Sequence, residues 1–80
     1  MMKAEEIRAE RGRIERGRAG AAFLVQAANG QRATHERNHD IFSLMAANIN
    51  LKQAALLQVA SDSYAAALDR LEDGGGCCAR

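Results

Sequence analysis

Apolar positions recur along this chain at helical spacing, and they do so unevenly. In the first segment Ile7, Ile14 and Ala21 stand seven residues apart, and Leu24, Val25 and Ala28 continue the same face. Up to Gly17 there is almost no other apolar stripe, so that part reads as a solvated helix. Pairs such as Glu5 with Arg8, Glu10 with Arg13 and Glu15 with Arg18 would support it weakly. The spacing predicts a first helix over about residues 3–28, closed by Asn29-Gly30, since glycine readily takes the left-handed conformation of a helix end. A second helix is predicted over about residues 35–73, with Thr34, Asn38 or Asp40 as its N-cap. No Gly or Pro interrupts it, and Gly74-Gly75-Gly76 ends it, leaving residues 74–80 as a flexible Gly/Cys tail.

The second helix carries more apolar surface than one neighbour can cover. Phe42, Met45, Ile49, Leu56, Ala60 and Ala67 form one stripe. Leu57, Tyr64, Leu68 and Leu71 form another, and Ile41, Leu44, Leu51 and Ala55 add a third. A helix apolar over so wide an arc must be buried against several partners. The first helix offers only about residues 19–28 for that purpose, so the missing cover is expected from other chains.

Composition sharpens this into a fold class. Alanine dominates, there is no Pro or Trp, and only Phe23, Phe42 and Tyr64 are aromatic. Strong helix formers without β-branched runs predict an all-α chain. At 80 residues it is one domain, residues 1–73, too small to be stable without a staple or a partner. The predicted architecture is a helical hairpin, its second helix long, that forms a helix bundle by oligomerisation, with coiled-coil packing between helices.

Charge excludes little and favours little. The net charge is +1. Residues 1–18 hold six basic groups against four Glu, and residues 41–80 three basic groups against four acidic ones. Antiparallel packing could use that asymmetry. The Arg8, Arg11, Arg13, Arg16 and Arg18 cluster is the basis of an alternative function, a nucleic-acid-associated protein. The interleaved Glu residues and the lack of aromatics beside the Arg side chains argue against it, and nucleic acid is not the expected partner. No run is long enough to span a membrane. The Glu-containing leader and Gln26 within the apolar run speak against a cleaved secretory signal. Cys77 and Cys78, adjacent at the end, cannot staple a loop. Their placement fits a reducing cytoplasm, with an interchain disulfide as the remaining option.

One stretch carries a chemical signature. His35-Glu36-Arg37-Asn38-His39 resembles the H-E-x-x-H helix of zinc metallopeptidases. That resemblance implies His35 and His39 as metal ligands and Glu36 as general base, and makes a metal-dependent hydrolase the remaining alternative. A third ligand is missing, the middle positions are charged or polar, and the chain leaves little scaffold for a substrate cleft. Glu36 and His39 also have di-iron carboxylate spacing, without the further carboxylates such a site needs. The expectation is therefore no catalytic residue, no cofactor and no metal, with His35 and His39 as weak candidates only.

The function predicted is non-enzymatic: a small interaction or structural subunit, or an adaptor, that works by helix–helix packing with itself or with a helical protein partner. The residues expected to carry that packing are Phe42, Met45, Ile49, Leu56, Val59, Tyr64, Leu68 and Leu71.

Overall fold

A computed structural model shows two antiparallel α-helices, α1 (Ala4–Asn38) and α2 (Ile41–Cys77), joined by a two-residue turn. It describes residues 3–77, with side chains for residues 3–72. Among them there is no strand. The molecule is a rod of 62 × 20 × 12 Å. Its radius of gyration is 18.1 Å, where a compact chain of this length would have about 12 Å.

The two helices meet along a seam of small residues. Ile14, Ala21 and Ala28 of α1 are buried against Ala47, Ala54, Ser61 and Leu68 of α2. Within each helix these residues stand seven apart, the repeat that keeps one seam facing its partner as two helices wind together. Small side chains let the backbones come close. A Cβ added at Gly17 would lie 2.9 Å from the Ser61 hydroxyl, and one at Gly20 would lie 3.4 Å from Leu57. Four of the six buried apolar residues are Ala. Each Ala removes little apolar surface from water, so the seam specifies register more than it supplies stability.

Charged and polar pairs flank the seam and fix the antiparallel register. Arg11 Nη2 donates to Asp69 at 2.7 Å and also to Glu72, while Arg18 Nη2 donates to Asp62 at 2.8 Å. Asn50 donates to Gln31 at 2.9 Å, and the Tyr64 hydroxyl to Glu10 at 2.8 Å. The basic start of the chain thus lies along the acidic end of α2. Of the three local pairs expected on α1, Glu10–Arg13 forms at 3.4 Å. Arg18 instead reaches across to α2.

The turn falls ten residues later than the sequence suggests. Asn29-Gly30 does not end α1: Gly30 keeps a helical, negative φ, and Thr34 bonds back to its carbonyl at 3.1 Å. The chain reverses at His39-Asp40. His39 takes the left-handed conformation (φ 54°, ψ 41°), and its N–H donates to the His35 carbonyl at 2.7 Å. Asp40 then caps α2. Its Oδ1 accepts from the Phe42 and Ser43 amides at 3.1 and 3.4 Å, and its Oδ2 from the Ser43 hydroxyl at 2.9 Å. Continuing α1 keeps ten more backbone groups in helical bonds and brings Gln31 opposite Asn50, which outweighs one good local C-cap signal. At the other end α2 runs through the three glycines to Cys77, so the expected tail at 74–80 begins inside helix, and the remaining residues lie outside those described.

Two expectations follow. Gly30 faces open space, so Gly30→Ala should stabilise the fold by about 0.5–1 kcal/mol. Gly17→Ala should gain less because of Ser61, and Gly17→Leu should cost about 1–3 kcal/mol by forcing the helices apart. Urea unfolding at one fixed protein concentration checks the order, and equal gains at Gly17 and Gly30 would refute the close approach. Second, the hydrogen bonds from Ser43 hold the Asp40 carboxyl below its ordinary 3.8. Its stabilising contribution is therefore complete above that value and lost as pH falls through the lower folded-state value. Asp40→Ala should be less stable than the parent at pH 7, and the difference should shrink on acidification below 3.8.

Candidate interaction surface

The seam uses one side of α2 and leaves the large apolar residues on the other. Phe42, Met45, Ile49, Leu56 and Val59 are each more than half exposed, Phe42 at 76% and Leu56 at 71%. At 3.6 residues per turn they project roughly opposite to Ala47, Ala54 and Ser61. They form a continuous stripe, with Lys52 filling the one gap in its spacing.

The face around the stripe is almost free of charge. From Ile41 to Ser61 the only charged side chain is Lys52, whereas α1 carries twelve Asp, Glu, Lys or Arg side chains. A helix that normally meets water on its outer side carries charge there. This one carries Phe, Met, Ile, Leu and Val instead, in one contiguous stripe rather than as scattered surface residues. On α1 only Phe23, 69% exposed, and Val25 face outward among the large apolar residues.

Of the eight residues expected to carry packing, the structure places five in the outer stripe. Leu68 is fully buried inside the hairpin, opposite in role to the rest. Tyr64 and Leu71 are exposed beside the charged end, where Glu10 accepts from the Tyr64 hydroxyl and pushes its pKa up. The small seam residues Ala47, Ala54 and Ser61 escaped that expectation, although their seven-residue repeat was there to be read. So did Ile41 and Lys52, neighbours of the stripe.

The other candidate sites are built differently. In the H-E-x-x-H stretch, His35 lies at the end of α1 with Nδ1 3.0 Å from the Asp40 carbonyl. His39 is already outside the helix, in the left-handed turn. The two rings are therefore not on one helical face, the arrangement that the peptidase motif relies on. Among the described residues no three His, Cys, Asp or Glu side chains come together as a metal-binding group. In the Arg-rich segment, Arg11, Arg13 and Arg18 are each engaged by a carboxylate. The hydrogen bonds that Arg11 donates to Glu72 and then to Asp69 raise its pKa further. The side chains of Cys77 and Cys78 lie outside those described, and so does the interchain disulfide considered for them. No helix among the described residues is long and apolar enough to cross a membrane. Compared with known protein families, curated proteins and solved structures, the chain matches none of them.

Proposed function

We propose that this protein is a non-enzymatic helical interaction module whose working surface is the outer face of α2. One observation carries the reading: a stripe of five large apolar side chains, more than half exposed, in a stretch whose single charge is Lys52. Leaving that stripe in water costs free energy in proportion to its apolar area, and another helix is the surface that fits it. The rod shape supports the same view. It presents a long helix face to a partner. The hairpin then acts as a subunit of an assembly or as an adaptor that covers a partner helix. α1 holds α2 straight and keeps the charged side towards solvent.

The test is the size of the complex that the full chain forms in extracts of its own cells. The parent should elute well above its monomer mass of 8.6 kDa. The double variant Ile49→Glu, Leu56→Glu should keep its helical circular dichroism and elute as a monomer, and Glu15→Ala on the charged face of α1 should behave as the parent. A parent that elutes as a monomer, or a double variant that elutes with it in the larger complex, would refute the reading.

A further inference from the structure

What covers the stripe is written in its spacing. We propose that the occupant is a second copy of this chain, docked antiparallel, α2 against α2, so that two hairpins form a flat four-helix layer in the order α1–α2–α2–α1, with both α2 helices inside. The inference rests on the reading of the outer face of α2 as the interaction surface and goes on to name its partner.

Phe42, Met45, Ile49, Lys52, Leu56 and Val59 are separated by alternating steps of three and four residues. That is the seam of a coiled coil, the repeat that lets one helix face another along its length. α2 thus carries two seams, a small-residue one occupied by α1 and a large-residue one on the opposite side.

The stripe reads the same way from both ends about a point between Asn50 and Leu51. Around a two-fold axis there, Phe42 meets Val59 of the second copy, Met45 meets Leu56, and Ile49 meets Lys52. Every level then pairs the two kinds of seam position, and the largest residue meets the smallest apolar one. A two-fold interface must be self-complementary in this sense. The overlap runs about 26 Å along the helix at 1.5 Å per residue. Lys52 sits at the centre. Its stem can pack on Ile49 while the ammonium reaches the edge, and a single Lys at such a position sets register at some cost in stability.

The chain exposes 5911 Å², which is about 1,200 Å² more than a compact protein of 8.6 kDa would. A stable dimer of ordinary size buries about 800 Å² per partner. The surplus is large enough, and docking through α2 leaves the highly charged α1 helices on the outside, where charge belongs.

Cysteine cross-linking tests orientation and partner together. In the full chain, with Cys77→Ser and Cys78→Ser removing background thiols, Met45→Cys and Leu56→Cys variants are oxidised singly and as a mixture. The mixture should give a cross-linked dimer and neither variant alone should do so, because like positions lie about 16 Å apart along the helix axis in the antiparallel register. Light scattering on the unmodified chain in reducing buffer should give twice 8.6 kDa. Lys52→Leu should lower its dissociation constant roughly tenfold by replacing the one charged seam position with an apolar one. Self-cross-linking of Met45→Cys would overturn the antiparallel arrangement. A monomer throughout the dilution series would overturn the second copy, including a monomer that instead sediments with phosphatidylglycerol vesicles. The broader reading would survive a monomer if Ile49→Glu, Leu56→Glu still releases the larger complex in extracts. A dimer that this double variant leaves intact would overturn both.

Discussion

The close approach of two helices over Ala, Gly and Ser governs the rest of this structure. Gly17 lies so near Ser61 that even one added carbon would crowd it, and Ala21, Ala28, Ala47 and Ala54 fill the seam around it. Helices that pack on small side chains are held close and in register, yet little apolar area leaves water. Phe42, Met45, Ile49, Leu56 and Val59 of α2 then have no place inside. They stand on the opposite face, and the rod that results has far more surface than a compact chain of its size. The exposed apolar face and the thinness of the core are two consequences of the same choice of residues.

Electrostatics fits this frame. Arg11 and Arg18 on α1 reach Asp69, Glu72 and Asp62 on α2, pairs that exist only in one antiparallel register. All are exposed, so their contribution is alignment more than stability. The turn adds to the alignment. Asp40 caps the second helix, and His35 and His39 serve the reversal of the chain. The two histidines of the H-E-x-x-H stretch thus take part in the turn.

The all-α character was legible because helix formers fill the chain and no Gly or Pro falls between residues 31 and 73. The seam on α1 was legible too, since Ile14 and Ala21 stand seven apart. The turn was misplaced because Asn29-Gly30 is a strong local stop, and only the pairing of α1 with α2 shows that the Asp40 cap and the continued helix win. The face of α2 that packs on α1 was hidden for a related reason. Counting hydrophobicity points to Phe42, Ile49 and Leu56, whereas the hairpin buries Ala47, Ala54 and Ser61, which read as plain helix propensity. Leu68 alone satisfies both criteria, being large and inside.

The hairpin is thinly packed by itself, and closing the outer face of α2, as proposed, adds to its stability. The most direct test is the thermal midpoint of the purified chain over a roughly hundredfold range of protein concentration in reducing buffer, because stability gained by association rises with concentration. A midpoint that climbs steadily with concentration is the predicted result. A midpoint that stays fixed would mean that the small-residue seam suffices to hold the fold, and would contradict the account.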